Sequence, residues 1–192
     1  MAQHAQTLGL KRVQRGLFQP GTWAGTGWQT KTITLANAVD SSRAIEKLHN
    51  RARGYRVNTS WDQALTHVEA YLPDNAVSDQ LTLQAYVLQN ADTYISWEVE
   101  ERDDINVVER GRALLSSIGS TKVDKTITLA TPVESLDLAG LALPIQADVP
   151  KGSTGYADIE PHLSAVDTIT CKCIAESAGN DAYLRYLIYE KR

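Results

Sequence analysis

Cys171 and Cys173 are the side chains of this sequence best suited to covalent or metal chemistry, and they stand two residues apart. On a strand that spacing points both thiols to one face, a poor placement for bridging each other. With His162 they supply part of a tetrahedral zinc set, but no fourth ligand is evident. The competing reading is a pair of small core hydrophobes, the common role of unpaired cysteine, and the sequence favours it. The acidic run Glu98, Glu100, Glu101, Asp103 and Asp104 lacks the Asp/Gly ligand spacing of a calcium loop, so it reads as a solvated strand end. The histidines His4, His49, His67 and His162 fall in no motif, and no nucleophile elbow, phosphate loop, dinucleotide fingerprint or HExxH occurs. The glycine-rich stretch Gly21–Gly27 lacks the Lys-Ser/Thr pair that a phosphate loop requires. No catalytic residue, metal ligand or cofactor is expected.

Aromatic and basic residues offer binding chemistry instead. Trp23, Trp28 and Trp61 lie in loop-like sequence, whereas Trp97 alternates with Ile95 and Val99 as a strand residue does. Loop tryptophans anchor interfaces or stack on sugars, so all three are candidate interface residues, with core burial as the competing reading. Trp97 is expected to fill the one large aromatic place in its core. Trp23 or Trp28 is therefore expected to meet another subunit. Arg15 and Arg110 share a Val-x-Arg-Gly context. An arginine–carboxylate clamp from Arg15 to Glu101 and from Arg110 to Glu190 would tie the first strand of a module to its last. The alternative is a solvated arginine.

The elements that position these residues are written twice. Lys31–Ala36 recurs letter for letter as Lys125–Ala130. Val13–Gly16 answers Val108–Gly111, Leu81–Val87 answers Ile169–Ala175, and Tyr94–Glu101 answers Tyr183–Glu190. A period near 90 residues is one whole small domain rather than a solenoid unit. Leu81, Leu83, Ala85 and Val87 alternate with Thr82, Gln84 and Tyr86, the period of a strand with one buried face. Pro73-Asp74-Asn75, Gln89–Asp92 and Ser177–Asp181 carry turn chemistry between such runs. The expected fold is all-β: two tandem antiparallel sandwich- or barrel-like modules related by internal duplication. An N-terminal arm spans 1–10, the first module 11–102, a linker 103–107 and the second module 108–192. Residues 42–54 admit both a helix, with Ile45, Leu48 and Ala52 on one face, and a strand. The repeat tips both this segment and its counterpart at 138–144 towards strand.

Composition sets the outer bounds. The chain has 192 residues, 43% hydrophobic and 22% charged, ordinary values for a globular protein. A net charge of −4 supplies no basic surplus for a phosphate backbone, so no nucleic-acid partner is expected. The N-terminal residues contain no signal-peptide core, and no apolar run is long enough to span a bilayer. Synthesis in a cytoplasm and no membrane partner are the corresponding expectations.

Taken together, these segments resemble a small β module found among virion proteins of tailed bacteriophages. Such modules open on a Val/Ile-x-Arg-Gly strand, continue through a Thr-rich strand and an aspartate-containing turn, and close on an aromatic-x-Val-x-Glu strand. Val13–Gly16, Lys31–Asp40 and Trp97–Glu101 carry the resemblance in the first copy. The second copy keeps Val108–Gly111 and Lys125–Leu129, but has Pro132-Val133-Glu134-Ser135 in place of the aspartate turn and a looser ending at Tyr186–Glu190. The resemblance implies a non-enzymatic virion structural component, on the tail, the baseplate or the capsid. Its implied partners are other virion proteins and further copies of itself. A module binding a receptor or carbohydrate through the loop tryptophans is the alternative.

Overall fold

Alternating burial marks the central strands of the fold. Leu81, Leu83, Ala85 and Val87 are fully buried while Thr82, Gln84 and Tyr86 between them are half-buried, as a one-faced strand dictates. Ile95, Trp97 and Val99 repeat the pattern, as do Ile169, Cys171 and Cys173. A computed structural model of the chain describes residues 9–18, 22–23, 25–49, 65–74, 76–87, 91–92, 95–143, 145–147, 157–175 and 180–192.

In the first half, β1 (Leu10–Phe18), β2 (Thr22–Trp23), β3 (Gly27–Asp40), the 3-10 turn η1 (Ser41–Arg43) and β4 (Ala44–Leu48) come first. They are followed by β5 (Leu65–Tyr71), β6 (Val77–Val87), β7 (Ala91–Asp92) and β8 (Ile95–Arg102). The second half holds β9 (Ile105–Ile118), β10 (Val123–Thr128), β11 (Ala139–Ala142), β12 (Ile145–Ala147), β13 (Ala157–Ala165), β14 (Thr168–Ala175) and β15 (Asn180–Lys191). The fold is all-β, and among the described residues every strand pairing is antiparallel.

The first half layers the sheet β1-β8-β4 on a sheet containing β5-β6-β3; the second layers β11-β15-β9 on β10-β14-β13. The pairing scheme is common to both halves, and the register agrees at corresponding central positions, although the bulge falls at Lys11 in β1 and at Val108 in β9. Ile33 opposes Leu81 as Ile127 opposes Ile169, and Gly16 opposes Trp97 as Gly111 opposes Tyr186. Each half encloses its own core. Trp23, Leu35, Leu72, Leu83 and Trp97 sit in one, and Leu129, Ile169, Cys171, Leu184 and Tyr186 in the other.

The glycine of Val-x-Arg-Gly is explained by close approach. A Cβ on Gly16 would stand 3.0 Å from Trp97 Cζ2, and one on Gly111 would overlap the Tyr186 ring. In both halves an aromatic from the last strand lies against the glycine of the first. The residue two before it has a recurring job as well. Gln14 bonds both polar groups of Asn37, its amide donating to the Asn37 carbonyl at 2.7 Å and its Oε1 accepting from the Asn37 N–H at 2.9 Å. Glu109 accepts from the Thr131 N–H at 2.9 Å and from the Tyr186 hydroxyl at 2.7 Å. The two layers of each sandwich are stitched at the same place.

In the ambiguous segment 42–54, Ser42 and Arg43 belong to the short turn η1 and Ala44–Leu48 form a strand. Asp40 accepts from the Ser42 N–H at 3.0 Å and the Ser42 hydroxyl at 2.7 Å, capping the short turn η1. Those bonds hold the Asp40 carboxyl below its usual range. The chain then extends as β4 against β8, with Glu46 opposite Val99. The counterpart at 138–144 contains β11, and residues 50–54 lie outside the described residues. The linker is shorter than the expected 103–107. Residues 105–107 already belong to β9, so only Asp103 and Asp104 separate β8 from β9. The Asp103 N–H donates to the Gly9 carbonyl at 2.7 Å, and Arg102 grips Asp104 with bonds of 2.9 and 2.8 Å.

Candidate functional site

The seam between the halves gathers the chain's least ordinary chemistry. It starts from an apolar patch in which Ile45 of β4 packs against Ile105 of β9 and Leu187 of β15, flanked by Val107, Ala142 and Tyr189. In the second half these residues lie on the outward face of the sheet β11-β15-β9, the face turned away from that half's own core. A sheet with both faces apolar must cover the second one. The first half covers it.

Charge is buried beside this patch. Arg110 Nε meets Glu46 Oε1 at 2.9 Å, with the side chains only 5% and 1% exposed. Arg110 Nη2 donates to the carbonyls of Ser41 at 2.6 Å and Ala44 at 2.8 Å, while the Leu72 N–H donates to Glu46 Oε1 at 2.8 Å. Burial pushes the Glu46 carboxyl above its ordinary pKa, and the Arg110 charge and the Leu72 bond pull it back only in part. Glu69, fully buried, meets Arg112 Nε at 3.0 Å and Arg185 Nη2 at 3.3 Å. Both carboxylates belong to the first half and all three arginines to the second.

Aromatic rings complete the seam. The Arg112 guanidinium lies 4.1 Å from the Trp28 ring centroid and 4.0 Å from that of Tyr183. Trp28 meets Tyr183 edge-on, with centroids 5.1 Å apart at 87°. Arg185 stacks on Tyr71 at 4.1 Å. Guanidinium ions are weakly hydrated and planar, which suits them to burial between rings. Finally, β12 leaves the second half to pair with β5, placing Ile145, Gln146 and Ala147 opposite Glu69, Val68 and His67. The first half's second sheet thereby becomes four-stranded, in the order β12-β5-β6-β3.

Several expected sites are corrected by this arrangement. The Arg15–Glu101 and Arg110–Glu190 clamps do not form. Arg15 points outward, 74% exposed, with its Nε 3.9 Å from Glu98, because the residue directly opposite it on β8 is Glu98. Glu101 faces inward and takes Lys11 at 2.8 Å. Arg110 crosses to the other half, and Glu190 accepts from the backbone N–H groups of Glu134 and Ser135. Trp23 is a core residue, 0% exposed, not an interface one. The pairing of Thr22 and Trp23 with Asp92 and Ala91 brings the tryptophan-bearing segment back against the sheet, and the ring joins the same core cluster as Trp97. Trp28 is an interface residue of a different kind, facing the other half of its own chain. Trp61 lies outside the described residues.

The remaining chemistry-bearing groups have structural positions. Cys171 and Cys173 are buried and unbridged, and desolvation raises the Cys171 thiol to about 12 and the Cys173 thiol in the same direction. The acidic run is taken up by cations: Glu98 by Arg15 and Lys47, Glu100 by Lys47, Asp103 by Arg43, Asp104 by Arg102; His49 Nε2 also stands 3.5 Å from Glu98. His162 is exposed on β13. Among the described residues, no group of three or more His, Cys, Asp or Glu side chains is placed to share a metal ion, and no helix is long and apolar enough to cross a membrane.

The sequence reading named Arg110 and Trp28 and missed Glu46, Glu69, Arg112, Arg185 and Tyr183. One signal was present. Leu17 and Ser96 stand in the first half where Arg112 and Arg185 stand in the second, so the charge appears in one copy only. No family model, no curated protein and no solved structure matches the chain.

Proposed function

We propose that this chain is a non-enzymatic structural component of a tailed-bacteriophage virion, acting through protein–protein contacts as one subunit of a homo-oligomer. The observation that carries the reading is the seam. A buried cluster of arginines, carboxylates and rings is spent on fixing two sandwiches in one relative position, which is the requirement of an assembly part. Its chemistry is cohesive. Carboxylates buried beneath guanidinium ions are closed off from a substrate, and thiols raised by burial are poor nucleophiles.

The resemblance of Val13–Gly16, Lys31–Asp40 and Trp97–Glu101 to a virion β module supplies the biological setting, and the common pairing scheme of the halves supports descent from one duplicated module. The receptor- or carbohydrate-binding alternative loses its motivation at Trp23 and Trp28, whose rings are engaged within the chain. The test is particle composition. Mass spectrometry of purified virions should find the chain at a fixed, integral copy number, and antibody labelling should place it at one position on the particle. Its absence from purified particles would overturn the proposal.

A further inference from the structure

The contact between halves leaves two matching surfaces unmatched. Within the chain, β9 packs across η1, with Arg110 reaching the Ser41 and Ala44 carbonyls. The counterpart of β9 in the first half is β1, where Arg15 and Leu17 stand 74% and 64% exposed. The counterpart of η1 in the second half is the turn ahead of β11. Ala139 opposes Glu190 as Ala44 opposes Glu101, and the Val133 N–H donates to the Val166 carbonyl as the Ser41 N–H donates to that of Ala76. This turn carries the exposed acids Glu134 and Asp137, and its Leu136 and Leu138 are 43% and 49% exposed.

We propose that β1 of one chain docks on the 133–138 turn of a second copy, repeating between chains the contact that β9 makes with η1 within one. The partner is another copy of this chain because each surface is the positional twin of one already joined inside the molecule. Charge agrees at Arg15, which is 74% exposed with its Nε 3.9 Å from Glu98, while the turn carries Glu134 and Asp137 with no base; Lys11 and Arg12 are engaged with Glu101 and the Ala38 carbonyl instead. The exposed leucines supply the apolar centre that a specific contact needs. The two surfaces differ, so the contact is head to tail and propagates into a ring or a filament rather than stopping at a two-fold dimer. This inference rests on the assembly reading above and names its surface.

The test uses the full-length chain in sedimentation equilibrium and native mass spectrometry. The wild type should form concentration-dependent oligomers. Arg15→Glu should be monomeric, and so should Glu134→Arg/Asp137→Arg, each with a wild-type thermal melt. Arg15→Glu sets a carboxylate opposite Glu98, so Leu17→Asp serves as a second disruption of the same face. An equimolar mixture of a β1-face variant with the turn variant should give a one-to-one dimer and nothing larger, because each partner retains one intact surface. A wild type that stays monomeric, single variants that keep the wild-type mass, or a mixture that stays monomeric would each overturn the proposal. Oligomers that survive every substitution would remove this surface but leave the assembly reading standing. Absence of the chain from purified particles would remove that reading instead.

Discussion

Replacing Arg110 by alanine should be among the most damaging single changes in this chain, and replacing Arg15, its counterpart in the same four-residue motif, should be nearly silent. Arg110 is 5% exposed against a Glu46 that is 1% exposed. Its removal strands a buried carboxylate with one backbone N–H partner and takes a donor from the Ala44 carbonyl and from the Ser41 carbonyl, which keeps only the Ala44 N–H. Breaking a buried ion pair from one side costs about 3–5 kcal/mol. For a chain of this size each kcal/mol lowers the melting temperature by roughly 2–4 °C, so the melt should fall by roughly 6–20 °C. Arg15 lies 74% exposed at 3.9 Å from Glu98. Loss of an exposed pair costs at most about 1 kcal/mol and often nothing measurable.

The Arg110→Ala penalty should also depend on pH. Removing the guanidinium raises a Glu46 pKa that burial has already raised, so the variant binds a proton that the wild type lacks across the interval between the two values. The penalty therefore grows as pH rises through that interval and shrinks below the wild-type Glu46 pKa. Urea melts from neutral pH down to about 4.5, the ordinary glutamate value, with Arg15→Ala as reference, measure it. Equal penalties for the two arginines, or an Arg110→Ala penalty that grows on acidification, would refute the reasoning.

Other outcomes follow from the same packing. Gly111→Ala drives a methyl into the Tyr186 ring and endangers its bond to Glu109, so it should cost roughly 2–4 kcal/mol in a urea melt; the loss should vanish in a Tyr186→Ala background. Trp23→Ala should cost about 3–5 kcal/mol, and an unchanged melt would return Trp23 to the surface. Glu46→Gln should abolish a specific slope: the wild type loses stability as pH rises from 4.5 through the raised Glu46 pKa, and the neutral variant does not. Cys171 and Cys173 should resist alkylation in the native protein and react on unfolding, and labelling at native rates would place them outside the core.

What the sequence reveals is what repeats within a sandwich. Leu81–Val87 and Ile169–Cys173 carry the two-residue period, so the all-β class and the membership of these residues in the cores are legible; the strand pairing is not, since β6 and β8, which flank the turn-like Gln89–Asp92, belong to different sheets. Trp23 was not, because glycines around a tryptophan suggest a projecting loop; Gly25 and Gly27 do take positive φ of 83° and 98°. The deciding interaction is the pairing with β7, whose residues lie far along the chain. The destinations of Arg110, Arg112 and Arg185 were hidden for a stronger reason. Their partners, Glu46 and Glu69, are fixed by how two folded halves dock, and no local pattern encodes that geometry.

The two Val-x-Arg-Gly motifs separate what a sandwich needs from what an assembly needs. Gly16 and Gly111 do the same work because each faces an aromatic ring from the closing strand, and Gln14 and Glu109 do the same work because each stitches one layer to the other. The arginines recur in sequence and diverge in role because they stand on the outward face, where the two halves have opposite characters. In the first half that face is an ion ladder running Arg15, Glu98, Lys47; in the second it is Leu187, Ile105 and three guanidinium ions. Two identical faces would join either half to its own kind. An apolar, arginine-bearing face matched to two buried carboxylates joins second half to first within the chain, and the self-paired ladder of the first half offers no equivalent apolar patch to compete for that place. Directional order within the chain is thus a consequence of outward-face chemistry alone, and a head-to-tail order between chains requires no further device.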